Sequence, residues 1–396
     1  MLFINYVDRG TLSTASHMMQ GDLHLDYLQM GLLMGAFSWT YTISQIPVGW
    51  LAERYGAHRI LAAGLIVWAS ATILVGFVNT FAMLLFLRLL LGVGESAGFP
   101  CVAKILAATV PPKGLGTANG IVALGYLSGP VVGTLLGGLL MARYGWRAAF
   151  WVFGSLSLLW LLPWSRVARG VRTAVQASAD DSPTLWMILK QPSLWGTALG
   201  LFSSNYTFYF MLYWLPGYLQ AERGFSLIAM TQLATLAFAV NAASAFLAGW
   251  LIDKYLRRGG SANFGYKSVM AVAHVGSVVC MLAMAVGSLK VAIISVFVFQ
   301  ALCGASSPGV YAMCQILAGP RASGRWVGIQ NSLGNLPGII APTLTGYIVK
   351  STGHFTVAFV VAAAVSMLGV IGWIAMVPKL AELKWKTAAQ PSGARA

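Results

Sequence analysis

The chain has 396 residues, of which 58% are hydrophobic and 9% are charged, and its formal net charge is +15. A soluble domain carries about 25% charged residues, so this composition excludes a water-soluble globule, a disordered chain, a collagen and a disulfide-stapled secreted domain. Twelve membrane helices of about 20 apolar residues each would use nearly all of the hydrophobic positions, which predicts an all-α polytopic membrane protein.

Apolar runs separated by glycine, proline and charged residues divide the chain into two sets of six predicted spans. The first set lies near residues 1–19, 24–52, 57–78, 81–109, 115–141 and 146–166, and the second near 193–220, 227–252, 267–288, 290–317, 323–349 and 355–378. We therefore expect a six-helix bundle over 1–166, a cytoplasmic linker over 167–192, a second six-helix bundle over 193–378 and a cytoplasmic tail over 379–396.

The first predicted helix is short on its N-terminal side, because the chain begins only seven residues before Asp8. A misassigned start codon and a truncated chain would each explain this. We expect no cleavable signal peptide, since no basic segment precedes the apolar one.

The distribution of basic residues predicts the orientation in the membrane, because lysine and arginine favour cytoplasmic loops. With both termini in the cytoplasm, eighteen basic residues fall in the inner loops and the tail, Lys104 among them, and five fall in the outer loops. This asymmetry accounts for most of the positive charge, so a nucleic-acid partner is not needed to explain it.

The two halves of the chain repeat, as expected for a transporter built from parallel repeats. The segment 49–54 (GWLAER) closes the second span, and the segment 249–254 (GWLIDK) closes the eighth span, 200 residues later. A fainter repeat pairs Gly92 with Gly304 at an offset of 212 residues.

The stretch 49–59 (GWLAERYGAHR) resembles the loop motif between helices 2 and 3 of the major facilitator superfamily, and the resemblance extends over essentially the whole chain. It implies that superfamily's fold of twelve helices in two bundles. It also implies a cytoplasmic gate, held by charge contacts between the bundles, for Gly49, Glu53, Arg54, Gly56 and Arg59. The alternative interpretation is that these charges only mark a cytoplasmic loop.

Four ionisable residues remain inside the predicted spans once loop residues are set aside: Asp8, Arg9, Arg88 and Glu95. A charge at the centre of a bilayer costs at least about 2.5 kcal/mol, so such residues are functional candidates. Arg88 and Glu95 are seven residues apart and share one helical face. The alternative is a charge network with a purely structural role.

Residues 5–13 (NYVDRGTLS) resemble the first-helix signature of the anion:cation symporter family, and residues 88–100 (RLLLGVGESAGFP) resemble its fourth-helix signature. That family includes bacterial transporters of galactonate, glucarate and hexuronates. The resemblance implies that Arg9 binds the substrate carboxylate and that Glu95 is the protonatable carboxylate. It also implies that Asp8 and Arg88 form a charge pair in proton coupling.

The resemblance further implies that Tyr6 and Tyr41 line a sugar-acid site. In the second bundle, the polar residues Tyr209, Asn331 and Asn335 are candidates for recognising substrate hydroxyl groups. Asn331 and Asn335 are four residues apart and so share a helical face.

These observations predict a proton-coupled symporter that imports a small organic anion, most consistent with a sugar acid, and not an enzyme. The expected partners are the anion, protons and the lipid bilayer, and the expected form is a monomer in the bacterial inner (plasma) membrane. No metal or cofactor is expected, since the four cysteines and five histidines show no ligand spacing.

Two rival functions remain. A proton-coupled drug or metabolite exporter of the same fold is favoured by Gly125, Gly129, Pro130 and Gly133, which partly resemble the antiporter motif of helix 5. Cationic drugs would, however, be repelled by Arg9 and Arg88. A membrane sensor or membrane-embedded enzyme is disfavoured, because the longest loop has about 26 residues and no catalytic arrangement is visible.

Overall fold

The computed structural model describes residues 1–25, 27–176, 183–377 and 379–385, which form α-helices joined by short connections. The helices of the first half are α1 (Leu2–Leu23), α2 (Tyr27–Tyr55), α3 (Ala57–Val75), α4 (Phe81–Glu95), α5 (Gly98–Thr109), α6 (Leu115–Tyr144), α7 (Trp146–Leu159) and α8 (Leu161–Gln176). After the short α9 (Leu185–Leu189), the second half has α10 (Pro192–Ala221), α11 (Leu227–Arg257), α12 (Ala262–Val286), α13 (Leu289–Gly334), α14 (Pro337–Thr352) and α15 (Thr356–Val370).

These helices correspond to the twelve predicted spans. Eight stretches of described helix are long and apolar enough to cross a membrane, and one of them, Leu289–Val349, contains two predicted spans. The remaining three spans are α1, α2 and α10, which have 22, 29 and 30 residues. Helix α10 is less apolar because it carries polar residues such as Ser203 and Thr207, which are buried inside the protein. The predicted fold class, an all-α polytopic protein with two six-helix bundles, is confirmed.

Some predicted spans do not match single helices. The fourth span is divided into α4 and α5, with a short break between Glu95 and Gly98. Helix α13 runs through two spans, but Gly319 within it has φ 64° and ψ 179°, which is not helical. Pro320 follows Gly319 and has no backbone N–H to continue the helical ladder, so the chain turns there.

The helix that ends the first bundle continues to Gln176, beyond the predicted boundary at 166, and α9 lies within the predicted linker. Residues 177–182 of that linker and 386–396 of the predicted tail lie outside the described residues. The domain boundaries therefore stay predictions.

Within the first bundle, α1 packs on α6, and α4 packs on both α2 and α3. Within the second, α13 packs on α10, α11 and α12, and α12 packs on α15. The two bundles meet where α13 contacts α2, α5 and α6 and where α11 contacts α6.

Glycines allow the bundles to approach closely at the end of the molecule where α2 and α11 finish, which we call the Glu53 end. A Cβ atom at Gly49 would lie 2.7 Å from the carbonyl oxygen of Gly324, and one at Gly249 would lie 2.9 Å from the carbonyl carbon of Gly116. Real Cβ contacts are essentially never this short, so each helix pair is in backbone contact. The repeated sequence GW therefore marks two equivalent crossings between the bundles.

This crossing predicts that Gly49→Ala destabilises the protein, although alanine favours a helix over glycine by about 0.5–1 kcal/mol. The added methyl group must push α2 away from α13. The matched control is Gly21→Ala, because a Cβ atom at Gly21 meets nothing within 4 Å. Thermal unfolding in detergent should give a lower melting temperature for Gly49→Ala only. A Gly49→Ala protein that melts at or above the parent temperature would contradict the described crossing.

Candidate functional site

Two carboxylates of the first bundle lie together inside the protein. Asp8 of α1 is 6% exposed and Glu95, the last residue of α4, is 1% exposed. The two groups interact electrostatically, and Asp8 also lies beside the indole of Trp68 in α3. The Asp8 carboxylate accepts a hydrogen bond from Ser157 Oγ of α7 at 3.4 Å. The structure therefore brings together two of the three residues predicted for proton coupling.

The third of these residues, Arg88, is directed toward α2 by its described contacts. Its Nε donates to the carbonyl oxygen of Leu33 at 3.0 Å, and its guanidinium carbon lies 5.4 Å from the ring centroid of Phe37. One residue later, the carbonyl of Leu89 accepts a hydrogen bond from Thr40 Oγ1 at 2.8 Å. These contacts fasten α4 to α2. The charge pair of Asp8 with Arg88 stays a prediction.

Arg9 follows Asp8 in α1, but its side chain lies outside the described part of the structure. Its backbone position is defined, one residue from the buried carboxylate and three residues from Tyr6. Binding of a substrate carboxylate by Arg9 therefore stays a prediction.

Aromatic rings from both bundles meet where α1, α5, α6 and α13 come together. The ring centroids of Tyr6 and Tyr126 are 5.3 Å apart, those of Tyr126 and Phe99 are 5.7 Å apart, and those of Phe99 and Tyr311 are 5.0 Å apart and stacked. Tyr41 of α2 is 4% exposed and also interacts with Tyr311. The two predicted tyrosines, Tyr6 and Tyr41, thus belong to one aromatic cluster between the bundles.

A chain of hydrogen bonds continues from this cluster into the second bundle. The Tyr311 hydroxyl donates to Asn331 Oδ1 at 3.1 Å, and Asn335 Nδ2 donates to the carbonyl oxygen of Asn331 at 2.8 Å. The Tyr209 hydroxyl donates to Asn335 Oδ1 at 3.2 Å. The structure therefore joins all three predicted second-bundle residues in one network, at the break between α13 and α14.

A buried ion pair lies at the Glu53 end. Glu53 is 1% exposed and Lys104 of α5 is fully buried, and their side chains form a salt bridge. Lys104 Nζ also donates to the carbonyl oxygen of Pro320 at 2.7 Å, and Glu53 Oε1 accepts from the backbone N–H of Gly324 at 2.9 Å. Both charges of the first bundle are thus bonded to the turn of α13 in the second bundle. The role of Glu53 in a gate stays a prediction.

The repeat of the motif makes a matching contact from the second bundle to the first. Asp253 of α11 is fully buried, and its carboxylate accepts from the backbone N–H of Gly116 at 3.0 Å and of Thr117 at 2.6 Å. These N–H groups belong to the first turn of α6, where the helix dipole favours a negative charge. One turn further on, Asn119 Nδ2 donates to Gln315 Oε1 at 2.7 Å. Three sets of polar contacts therefore close this end.

The other predicted gate residues lie around the α2–α3 turn. Gly56 has φ +92°, a conformation that strains any residue with a Cβ atom, so glycine is required for the turn. Arg54 and Arg59 are exposed, and Arg54 lies 5.2 Å from the Trp50 ring centroid. The described ion pair of Glu53 is therefore with Lys104 of α5 and not with either of these neighbouring arginines.

Lys104 corrects the sequence analysis, which counted it as an inner-loop residue. That assignment is wrong, because Lys104 lies inside α5 and is fully buried. The sequence could have indicated this, because Lys104 lies within the predicted span 81–109. Phe99, Tyr126 and Tyr311 were not singled out either, since a single aromatic residue in an apolar helix does not reveal which neighbour it will meet.

Comparison with known proteins identifies a matching family, similar sequences and a similar fold. A family model described as the Major Facilitator Superfamily matches residues 1–260 and 259–395. The hexuronate transporter of Bacillus subtilis is 31% identical over 397 residues, covering 94% of this chain and 92% of that protein. The probable galactarate/D-glucarate transporter of Escherichia coli is 30% identical over 430 residues, covering 98% and 94%.

A solved structure shares the fold. The proton:xylose symporter XylE bound to 6-bromo-6-deoxy-D-glucose matches with a TM-score of 0.75 and 15% identity, over 93% of this chain and 92% of that one. At this identity the likeness supports the arrangement of helices alone.

The ion pair at the Glu53 end predicts a distinctive pattern of stabilities. Lys104→Met leaves the Glu53 charge buried without its partner, which costs about 3–5 kcal/mol. Glu53→Gln combined with Lys104→Met removes both charges and should recover most of the lost stability. Thermal unfolding in detergent measures this pattern.

The exposed Arg54→Gln serves as the control for this series and should change stability by no more than about 0.5 kcal/mol. A double variant as unstable as Lys104→Met, or a Lys104→Met as stable as the control, would argue against the buried pair.

Proposed function

Because the chain belongs to the major facilitator superfamily, we propose that it is a proton-coupled symporter that imports a small organic anion of the sugar-acid class. Members of this superfamily are transporters, so the chain is a membrane transporter and not an enzyme. The observation that carries the proposal is the buried pair of carboxylates, Asp8 and Glu95, beside the Arg9 position of α1. Relatives named as hexuronate and galactarate/D-glucarate transporters support the substrate class.

Recognition of the anion begins with charge. A carboxylate that leaves water for a protein cavity needs a permanent cation, and a guanidinium group is always charged and can hold both carboxylate oxygens. Arg9 supplies that group from the first bundle. The aromatic cluster around Tyr6 and Tyr41 adds apolar ring faces that can pack against the carbon chain of a sugar acid.

The second bundle recognises hydroxyl groups. Tyr209, Asn335 and Asn331 present hydroxyl and amide groups that can donate and accept hydrogen bonds. Their network reaches Tyr311 at the bundle interface. A substrate between the bundles would thus be held by charge on one side and by hydrogen bonds on the other.

Coupling is assigned to the two buried carboxylates, Asp8 and Glu95, because Asp8 precedes Arg9 in α1 and interacts with Glu95. When Asp8 and Glu95 are protonated, they do not compete for the Arg9 guanidinium, and the anion binds from outside. The bundles then rock and expose the site to the cytoplasm. Loss of the protons there restores carboxylate charge, and Glu95 competes with the anion for Arg9 and releases it. Transport of anion and proton is thereby linked.

The gate sets the direction in which the site opens. We place the Glu53 end at the cytoplasmic face of a bacterial inner membrane, with both termini cytoplasmic, because basic residues concentrate in the loops on that side. With the Glu53 and Asp253 contacts made, the cytoplasmic side is closed and the site loads from outside. Opening inward requires those contacts to break. The transporter works as a monomer, since both halves of the gate lie in one chain.

Export by the same fold is the second candidate. The glycines of α6 that favour it have another explanation in the structure. A Cβ atom at Gly129 would lie 2.7 Å from the Phe3 carbonyl oxygen, and one at Gly133 would lie 2.9 Å from Val7 Cα. These glycines let α1 pack closely on α6 next to Asp8, which a symporter needs as much as an exporter. The side chain of Pro130 lies outside the described residues.

Uptake into proteoliposomes tests the proposal directly. The panel is galactonate, glucarate, glucuronate, tartrate and phthalate, with an imposed inward proton gradient and a pH-sensitive dye inside. We expect concentrative uptake of one anion accompanied by internal acidification. Folded protein that transports none of the panel would shift the assignment to export or to an anion outside the sugar-acid class. Exchange of protons for a cationic drug would show export.

Glu95→Gln separates binding from coupling. The neutral amide mimics the protonated acid, so the variant should still exchange internal for external anion but lose proton-driven accumulation. Asp22→Asn is the matched control, because Asp22 is exposed at the far end of α1 and bonded to Arg147 at 2.8 Å. The control should accumulate anion normally. Accumulation by Glu95→Gln under a pH gradient would show that another group carries the proton.

Arg9→Lys tests the anion contact. An ammonium group is a point charge and cannot form the two parallel hydrogen bonds of a guanidinium group, so the affinity should fall by at least tenfold. Arg147→Lys is the control, since Arg147 is a half-buried arginine at the other end of the bundle, where it pairs with Asp22. Counterflow measured at several anion concentrations gives the affinity. Equal affinities for the two variants would remove Arg9 from the site.

A further inference from the structure

A polar cavity lies inside the second bundle, away from the carboxylates of the first. It lies between α10, α12, α13 and α15, and the His274 imidazole, which borders it, is only 3% exposed. The other polar residues around it carry hydroxyl or thiol groups: Ser204, Thr207, Ser277, Cys303, Ser306 and Ser366. The cavity has a volume of about 10 Å³, close to the smallest that holds one water molecule.

The hydrogen bonds of His274 determine which ring nitrogen can exchange a proton. Nδ1 lies 3.0 Å from the carbonyl oxygen of Met270, and Nε2 lies 3.2 Å from Ser204 Oγ. A carbonyl oxygen only accepts hydrogen bonds, so Nδ1 carries its hydrogen in both charge states. Nε2 is therefore the nitrogen that gains or loses a proton.

Ser204 can serve both charge states of His274. Its Oγ lies within hydrogen-bonding distance of His274 Nε2 and also lies 3.0 Å from the carbonyl oxygen of Gly200. With neutral His274, the single hydroxyl hydrogen points to Nε2. With protonated His274, Nε2–H donates to Ser204 Oγ, and the hydroxyl hydrogen points to Gly200. Each state keeps a hydrogen bond between the two side chains, and the change requires only rotation of one hydroxyl group.

The remaining hydroxyl groups favour a hydrogen-bond donor, such as a water molecule, inside the cavity. Ser277 donates to the carbonyl oxygen of Ala273 at 2.7 Å, and Ser306 donates to that of Cys303 at 2.8 Å. Ser366 donates to the backbone carbonyl of His274 at 3.0 Å. With their hydrogens used in this way, these oxygens can still accept hydrogen bonds. Among the described residues around the cavity, the only titratable group besides His274 is the Cys303 thiol, and none is an aspartate, glutamate, lysine or arginine.

Space for the imidazole is provided by a glycine on the facing helix. A Cβ atom at Gly369 of α15 would overlap the His274 ring, and it would also lie 3.0 Å from Ser203 Cβ of α10. The ring therefore occupies a slot between α10 and α15.

We propose that His274 Nε2 is a second proton-binding site of this transporter, located in the second bundle and distinct from Asp8 and Glu95. Its ligand is a proton, exchanged with water in the hydroxyl-lined cavity. The inference rests on the proposed function for its role in transport, while the binding of the proton is a property of the protein alone.

Helix α10 connects this proton to the predicted substrate contacts. Asn205, the residue after Ser204, donates through Nδ2 to the carbonyl oxygen of Gly334 at 2.6 Å. Gly334 directly precedes Asn335, which accepts the hydrogen bond of Tyr209, also on α10. A change at Ser204 thus occurs one residue from a contact that holds the α13–α14 break in place.

The first test is the protonation of His274 in the full chain without substrate. Nitrogen-15 NMR of histidine-labelled protein in detergent distinguishes a neutral Nδ1–H ring from an imidazolium ring. The signal absent from His274→Gln identifies the residue among the five histidines. We expect this signal to move from the neutral to the imidazolium position as the pH falls from 9 to 4. A signal that stays neutral over that range in folded protein would overturn the proposal.

The second test is the number of protons moved with each anion. With whichever panel anion is transported, His274→Gln should keep exchange but move about one proton fewer per anion than the parent. His354→Gln, a change at an exposed histidine on the α14–α15 turn, should keep the parent ratio. An unchanged ratio in His274→Gln would overturn the transport role. If no anion is transported by the parent, the proposed function fails, and the NMR titration still decides whether His274 binds a proton.

Discussion

Burial of charge between two membrane-embedded bundles is the constraint on which this structure depends. A carboxylate removed from water is stable only when other groups bind it, and replacing a bound pair by one unpaired charge is strongly unfavourable. Glu53 meets this requirement with Lys104 and the Gly324 N–H, and Asp253 meets it with the first turn of α6. In each case at least one of the groups that bind the buried carboxylate belongs to the opposite bundle. The two bundles are therefore held together at one end by contacts that neither can replace alone.

The internal repeat of the sequence has a direct structural meaning. Glu53 binds a backbone N–H of α13, and Asp253 binds backbone N–H groups of α6, so each half of the repeat bonds to the backbone of the opposite bundle. The fainter repeat follows the same rule, because a Cβ atom at Gly92 would lie 3.0 Å from the Tyr41 nitrogen and one at Gly304 would lie 3.0 Å from Asn241 Cα. These glycines bring α4 against α2 and α13 against α11. Close packing inside each bundle and polar contacts between bundles fit rigid bundles that rock against each other.

Much of the fold and part of the site could be predicted from the sequence. Apolar runs and their charged boundaries locate helices well, because a membrane span needs a fixed length of apolar residues. The spacing of Asn331 and Asn335 correctly indicated one helical face, and the structure joins both to Tyr209. Contacts between distant helices were beyond this reasoning. Lys104 looked like a loop lysine, and Tyr126 and Tyr311 looked like ordinary apolar residues, because only the three-dimensional packing shows what each side chain meets.

Alternation between the two ends of the molecule is the central claim of this account, and distances between spin labels test it most directly. One pair of labels, at Lys113 and Arg321, spans the Glu53 end. The other pair, at Asn79 and Lys290, spans the opposite end. All four residues are exposed. The four native cysteines would be replaced first. With a transported anion and acidic pH together, we predict that the first distance lengthens and the second shortens in part of the population, while neither condition alone has this effect. Distances that stay constant, or that change in the same direction while the protein transports anion, would contradict the account.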